Sequence, residues 1–248
     1  MKITGIGSLP YLSVSKAMEW SFHCDIPYLP ELIQLSAQES LIQLAYTLSQ
    51  SRKIKSPLHV CYEPFLEEIK SYSGLFKVQL PGIITAQKII KDPLFESKYY
   101  IQNIISYLCA FEELQRPWIL TLDEPLIEKD DFCKYEFFLK ELKGFFPNCF
   151  FGIHICNTHA WEKITCDIFD YYFVDMILNP NINLLQIAPE KIVAGIIGTQ
   201  TSEQGESQGQ IISPTCGLGT LSSQRADFVM EELLRVRNKY QSSSKSKF

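Results

Sequence analysis

His154 and Cys156 are a pair of residues whose types and spacing could support chemistry. They lie in residues 150–156, where short apolar alternation predicts a β-strand. Residues two apart in a strand face the same side, so both side chains share one face with Gly152. Imidazole nitrogen and thiolate sulfur are preferred zinc ligands. The pair is also compatible with a hydrogen-bonded buried histidine beside an unreactive cysteine, which this segment alone favours, and both interpretations stay open at this point.

Two further segments carry residues that could contribute to the same chemistry. Cys216 lies in residues 213–219, after the last predicted strand, where Gly217 and Gly219 permit a tight turn. Its thiol could project at the end of the sheet, or it could be incidental to the turn. Asp123 ends another predicted strand, where its carboxylate could serve a site or cap the next helix.

Five short motifs, spread over residues 3–220, together resemble a known family. They are Ile6-Gly7-Ser8 with Pro10, Leu80-Pro81-Gly82, Asp123-Glu124-Pro125, His154-x-Cys156 and Pro214-Thr215-Cys216-Gly217-Leu218. In this order they resemble the C-terminal catalytic barrel of cobalamin-independent methionine synthase, in particular its compact single-barrel relatives. This family belongs to the superfamily of methionine synthase and uroporphyrinogen decarboxylase-like barrels. The last two motifs are the most specific of the five.

The resemblance implies a zinc enzyme on a (β/α)₈ barrel. Such an enzyme transfers a methyl group from 5-methyltetrahydrofolate, or from another donor, to a thiol such as homocysteine. His154, Cys156 and Cys216 match the zinc ligands of the family, so their ligating atoms are expected within about 4 Å of one another. Zinc coordination deprotonates a thiol and keeps its sulfur nucleophilic at neutral pH.

The resemblance also implies a binding site for the amino-acid thiol. Ile6, Gly7 and Ser8 match the segment that lies along this substrate. Asp123 matches the catalytic carboxylate that holds the substrate ammonium group and so orients the thiol for in-line attack on the methyl carbon.

Several positions depart from the family pattern. The fourth zinc ligand of the family is a Glu, which residues 171–180 lack; Asp175, Asn179 or a water could replace it. Residues 199–203 lack the His that full-length synthases carry as a proton donor. The second-strand glutamate that binds homocysteine has no matching position, because Glu63 follows the second predicted strand in a different context. Methyl donor and acceptor therefore both stay open.

Positioning these residues requires strands that alternate with helices, which predicts a parallel sheet covered by helices. The sequence predicts strands at residues 3–8, 58–62, 76–80, 118–123, 150–156, 172–178, 192–197 and 211–213. It predicts helices at residues 14–23, 38–50, 65–71, 96–115, 132–145 and 222–240. Eight parallel strands in 248 residues favour a (β/α)₈ TIM barrel of the α/β class. A doubly wound sheet is the alternative, although neither G-x-G-x-x-G nor a P-loop motif occurs.

Composition limits the domain organisation, the compartment and the partners. We expect one domain over residues 1–240 and a disordered polar tail over residues 241–248. The formal net charge of −5 and the lack of a basic cluster argue against nucleic-acid binding. The chain shows no signal peptide and no apolar run long enough to span a membrane, so we expect a cytoplasmic protein with reduced cysteines. The expected partners are a small-molecule thiol and a methyl donor.

The sequence thus predicts a zinc-dependent methyltransferase-like protein related to methionine biosynthesis. The alternative is a non-catalytic or repurposed barrel that retains the fold and the metal. A barrel like uroporphyrinogen decarboxylase ranks last, because such a barrel needs an Arg-rich N-terminal loop and the first arginine here is Arg52.

Overall fold

Seven parallel strands form one curled sheet, a half-barrel, in the part of the chain that the structure describes. The structure is a computed structural model, and it describes residues 1–54, 57–91, 95–156, 161, 168–180, 187–199, 204–205 and 209–245. The strands are β1 (Lys2–Ile3), β2 (Phe76–Pro81), β3 (Trp118–Asp123), β4 (Cys149–Ile155), β5 (Tyr171–Asp175), β6 (Ile192–Ile197) and β7 (Ile211–Pro214). Their order across the sheet is β1-β7-β6-β5-β4-β3-β2.

Seven α-helices accompany the sheet in the described residues. They are α1 (Val14–Phe22), α2 (Leu41–Ser49), α3 (Tyr62–Ser71), α4 (Ile83–Ile90), α5 (Ser97–Glu112), α6 (Tyr135–Phe145) and α7 (Ser223–Lys245). A large apolar core joins helix residues to one face of the strands, whereas a smaller cluster with Ile119, Phe173 and Val193 lies on the other face. Among the described helices, none combines the length and the apolar character needed to cross a membrane.

The prediction of an α/β fold with a parallel sheet is confirmed, but a complete (β/α)₈ barrel is not, because the described sheet has seven strands. The strand predicted at residues 58–62 is wrong. The Tyr62 N–H donates to the His59 carbonyl in a turn, and α3 begins at Tyr62. The Val60 N–H donates to the Glu39 carboxylate, so this backbone is satisfied without a partner strand.

Residues 26–31 lie between the two edge strands of the sheet, although the sequence analysis did not predict a strand there. Isolated parallel bridges pair Ser8 with Glu31 on one side and Tyr28 with Lys77 on the other. The backbone hydrogen bonds run from Ile26 to Ile3, Glu31 to Gly7, Leu9 to Glu31, Leu29 to Lys77 and Lys77 to Pro27, at 2.8–3.2 Å. Pro27 and Pro30 have no N–H group, and this is why the segment does not read as a strand in the sequence.

Helix α4 follows β2 directly and was missed by the sequence analysis, which took Pro81-Gly82 only as the end of a strand. The buried Glu124 carboxylate accepts the N–H groups of Ile84 at 3.0 Å and Thr85 at 2.7 Å. A Cβ atom at Gly82 would collide with this carboxylate. The cap of α4 is therefore Glu124. The helical turn that follows Asp123, Lys129–Lys134, has Glu128 at its N-cap, so Asp123 does not cap the next helix.

Helix α7 ends at Lys245, five residues beyond the predicted end of the helix at residue 240. The residues that follow Tyr240 include neither Gly nor Pro, so no residue there interrupts a helix. The backbone of residues 241–245 is helical rather than part of the predicted polar tail. Residues 246–248 lie outside the described residues.

Replacing Glu124 with alanine is expected to destabilise the protein by about 2 kcal/mol, because two buried N–H groups of α4 would lose their acceptor. Urea unfolding followed by circular dichroism measures the change. Glu96→Ala is the control, since Glu96 lies at the N-terminus of α5 but makes no side-chain capping hydrogen bond. Equal effects of the two substitutions would show that the cap contributes nothing specific.

Candidate metal centre

Three predicted metal ligands converge at the carboxyl ends of two strands. His154 and Cys156 lie at the end of β4, and Cys216 follows β7. One ligating atom from each residue lies within 4.8 Å of the other two. The Sγ atoms of Cys156 and Cys216 are 3.6 Å apart, and Cys156 Sγ lies 3.6 Å from His154 Nε2. The set is slightly wider than the predicted separation of about 4 Å.

The two separations that involve Cys156 fit one tetrahedral zinc ion, whereas the ligating atoms of His154 and Cys216 lie up to 4.8 Å apart. Zn–S bonds of about 2.3 Å and Zn–N bonds of about 2.0 Å place two sulfurs about 3.8 Å apart, and sulfur and nitrogen about 3.6 Å apart. The observed separations of 3.6 Å agree with both values. They exceed the length of a disulfide bond, which is about 2.05 Å. The residues present therefore suit a metal with mixed nitrogen and sulfur ligands, such as zinc.

Asp123 orients the imidazole of His154. Its Oδ1 atom lies 3.3 Å from His154 Nδ1, and the histidine is almost fully buried. A proton on Nδ1 leaves Nε2, the nitrogen closer to Cys156, free to bind a metal; metal-binding histidines commonly have such a carboxylate partner. Burial lowers the pKa of His154, but the hydrogen bond and charge of Asp123 and the charge of Cys216 raise it above its usual value.

The two cysteines differ in acidity because they share a hydrogen bond. That bond lowers the pKa of Cys216 to about 6, with help from His154 and the Gly217 N–H, while burial opposes the shift. The same bond, burial and the charge of Cys216 raise the pKa of Cys156. The Cys216 thiol is thus the more acidic of the two, because its thiolate would accept the shared hydrogen bond.

The two candidates for a fourth protein ligand are engaged in a turn after β5. Asp175 Oδ1 accepts the N–H groups of Ile177 at 2.9 Å and Leu178 at 3.0 Å. The Asn179 side-chain amide donates to the Asp175 carbonyl at 3.0 Å. Asp175 does not belong to the group of possible His, Cys, Asp and Glu ligands found among the described residues. The described residues thus offer three ligands, so a water or an external ligand would complete a tetrahedral site.

The motif that contains Cys216 packs against the motif that contains Ser8. The Leu218 N–H donates to the Ser8 carbonyl at 2.8 Å, and the Gly219 N–H donates to Ser8 Oγ at 3.2 Å. A Cβ at Gly217 would collide with Ser8 Oγ, so this position requires glycine. Ser8 is thereby held close to the turn that carries Cys216.

Ile6 and Gly7 lie on the face of the sheet opposite the helices. The Ile6 carbonyl accepts a hydrogen bond from Lys77 Nζ at 2.6 Å, and the ammonium also donates to Gln79 Oε1 at 2.7 Å. Burial lowers the pKa of Lys77 to about 8, although the charges of Asp123 and Glu31 oppose the shift. Ile6 and Gly7 can therefore line a ligand only through backbone atoms, because the Ile6 side chain is buried and Gly7 packs on Gln79.

Glu31 is a candidate functional residue that the sequence analysis missed. It pairs with Ser8 through the isolated bridge, and its carboxylate is nearly buried. The charge of Asp123 acts on its carboxyl group, so the two acidic side chains lie in one region. The only sequence signal for Glu31 is that an acidic residue follows the two prolines of residues 26–31. Those prolines argue against a strand in this segment.

His159, a further histidine three residues after Cys156, lies outside the described residues. So do residues 200–203, which are four of the five residues in which the histidine of the full-length synthases was sought.

Fold and site together define an α/β protein with a curled parallel sheet and a candidate metal centre at the carboxyl ends of its strands. Comparison of the chain with protein-family models, with curated proteins and with solved structures finds no match. The resemblance to cobalamin-independent methionine synthase therefore rests on the sequence motifs alone.

Protein purified without added metal is expected to contain about one zinc per chain, and Cys216→Ala is expected to remove it, since a site with three protein ligands loses a thiolate. Elemental analysis measures zinc, and the sulfur-to-metal charge-transfer band of cobalt-substituted protein identifies thiolate ligands. Cys109→Ala is the control, because Cys109 is exposed and outside the cluster. Metal-free wild type that does not take up zinc or cobalt would contradict the assignment.

Proposed function

We propose that this chain is a zinc-dependent methyltransferase that methylates an amino-acid thiol such as homocysteine, in a reaction related to methionine biosynthesis. The observation that carries this proposal is the convergence of His154, Cys156 and Cys216, whose ligating atoms lie within 4.8 Å of one another. With the three protein ligands that the described residues offer, one position stays open for a substrate, which is typical of catalytic rather than structural zinc sites.

Zinc in this site would deprotonate a coordinated thiol and keep its sulfur nucleophilic at neutral pH. Asp123 holds the His154 ring in the tautomer that presents Nε2 to the metal. The transferred methyl group forms a bond to this sulfur as its bond to the donor breaks. The chain's contribution is to hold the acceptor in line with the donor.

Carboxylates on two sides of the site suit a ligand that carries an ammonium group. Asp123 ends β3, and Glu31 lies beside Ser8; both are largely removed from solvent. A cation is stabilised by two anionic groups in a region of low dielectric. We therefore assign the α-ammonium group of the acceptor to Asp123 and Glu31, and the backbone of Ile6, Gly7 and Ser8 to the lining of the amino-acid subsite.

The proposal includes a closed (β/α)₈ barrel, in which residues 26–31 take the place of the eighth strand. Backbone hydrogen bonds on both sides of this segment support the closure. In this arrangement the carboxyl ends of all strands, where barrel enzymes place their sites, surround one mouth. Glu31, Asp123, His154 and Cys216 would all border that mouth.

The second candidate is a repurposed barrel that keeps the metal without methyl transfer. The use of Asp175 and Asn179 in a turn favours it, because the fourth protein ligand expected from the family is then missing among the described residues. An accessible coordination position separates the two candidates, since a closed or blocked site binds no substrate thiol.

Zinc-loaded protein is expected to bind homocysteine at its open position and, with a methyl donor such as 5-methyltetrahydrofolate, to form methionine. Cobalt-substituted protein reports the thiol as a new charge-transfer band, and mass spectrometry detects methionine. Protein that holds zinc but binds no thiol at millimolar concentration would refute methyl transfer and leave the repurposed barrel.

Asp123→Asn is expected to weaken zinc affinity by about tenfold or more, because the orienting partner of His154 loses its charge. At saturating zinc, it should also raise the KM of the acceptor, while the free energy of unfolding changes by less than about 1 kcal/mol. Competition with a chelator measures zinc affinity, and steady-state kinetics measure KM. Glu63→Gln, at an exposed position, is the control. Loss of folding without either change would show that Asp123 is structural.

A further inference from the structure

His59 is a buried histidine with one ring nitrogen that no hydrogen bond satisfies among the described residues. Its Nδ1 atom lies 2.5 Å from the Tyr107 hydroxyl. Its Nε2 atom has no hydrogen-bond partner and lies 3.7 Å from Glu31 Oε1. If the Tyr107 hydroxyl donates to Nδ1, the ring proton sits on Nε2 and points toward Glu31. A small movement of the carboxylate would convert this contact into a hydrogen bond.

A second buried carboxylate fixes the two backbones that carry this pair. Glu39 Oε2 accepts the N–H of Leu32 at 2.6 Å, and Glu39 Oε1 accepts the N–H of Val60 at 2.9 Å. Leu32 follows Glu31, and Val60 follows His59. One side chain therefore fixes both backbones relative to each other. The approach of His59 to Glu31 is thus held by specific hydrogen bonds.

The groups around Glu31 make His59 important for the charge of the Glu31 carboxyl group. Burial and the charge of Asp123 from β3 raise the pKa of Glu31, whereas His59 and, more weakly, Lys77 from β2 lower it. Tyr107 is neutral in this range, because burial raises its pKa well above the ordinary value. His59, whose Nε2 lies 3.7 Å from Glu31 Oε1, is therefore placed to donate a hydrogen bond to this carboxylate.

We propose that His59 is a positioning residue of the candidate site, whose Nε2–H group holds the Glu31 carboxylate in the orientation that binds the ammonium group of a cationic thiol. This inference rests on the proposed function, because it concerns the same ligand. It adds to the candidate site a residue from the loop before α3. That loop contributes no side chain to the metal centre. His59 acts through Glu31 and does not touch the ligand.

The first test compares two thiols that differ only in the ammonium group, homocysteine and 4-mercaptobutyrate, by calorimetry on zinc-loaded protein. His59→Phe should reduce the preference for homocysteine by about tenfold, as expected for a lost hydrogen bond to a charged group, and leave the affinity for 4-mercaptobutyrate unchanged. His59→Gln should restore most of the preference, because its amide can still donate. His23→Phe is the matched control, since His23 is exposed and bonds only within α1.

A double substitution shows whether His59 acts through Glu31. In a Glu31→Gln background, His59→Phe should cause no further loss of preference. An undiminished preference in the His59→Phe single variant, or an equal further loss in the Glu31→Gln background, would overturn the proposal.

A second measurement is independent of zinc and thiol binding. Nitrogen-15 NMR of the imidazole side chains should show His59 with its proton on Nε2, and Glu31→Gln should shift the nitrogen resonances of His59. Failure of the wild type to bind either thiol would defeat the proposed function but not this measurement. Resonances of His59 that do not respond to Glu31→Gln would overturn the positioning role.

Discussion

The curl of the parallel sheet is the constraint on which the candidate site depends. β4 and β7 are separated by β5 and β6, so in a flat sheet their ends would lie about 14 Å apart, three strand spacings of about 4.8 Å. The observed separation of 3.6 Å between Cys156 Sγ and Cys216 Sγ requires the sheet to bend around one axis. The closely packed turn at Gly217 and Ser8 then holds the last strand's end against the first. The bend of the sheet thus brings the candidate metal ligands together.

The same curvature brings buried charges of both signs together. Asp123 and Glu31 supply negative charge, while the Lys77 ammonium is fully buried and bonded to the Ile6 carbonyl and to Gln79. Isolated buried charges are costly, but opposite charges in one interior stabilise each other. The Lys77 ammonium interacts with both carboxylates and therefore offsets part of the repulsion between them. A cationic ligand at the mouth would extend this compensation.

The sequence predicts local features of the site better than the contacts that assemble it. Period-two alternation puts His154 and Cys156 on one face, and glycine at position 217 indicates a tight turn. Both features depend on residues that are close together in the sequence. The role of residues 26–31 depends instead on hydrogen bonds to β1 and β2, and the prolines hide it. The cap of α4 by Glu124 likewise joins residues 40 positions apart. Glu31 was missed for this reason, because no local pattern reports a partner that is distant in the chain.

Asp123 connects the two halves of the proposed site. Its hydrogen bond to His154 engages Oδ1, and the carboxylate is only partly exposed toward the mouth. If Oδ2 meets the ammonium group of a ligand, one carboxylate fixes both the imidazole that holds the metal and the cation at the other end of the ligand. The distance between metal and ammonium is then set by a single rigid group at the end of β3. Such a site selects an amino-acid thiol by the spacing between its sulfur and its nitrogen, since a shorter or longer thiol cannot satisfy both contacts at once.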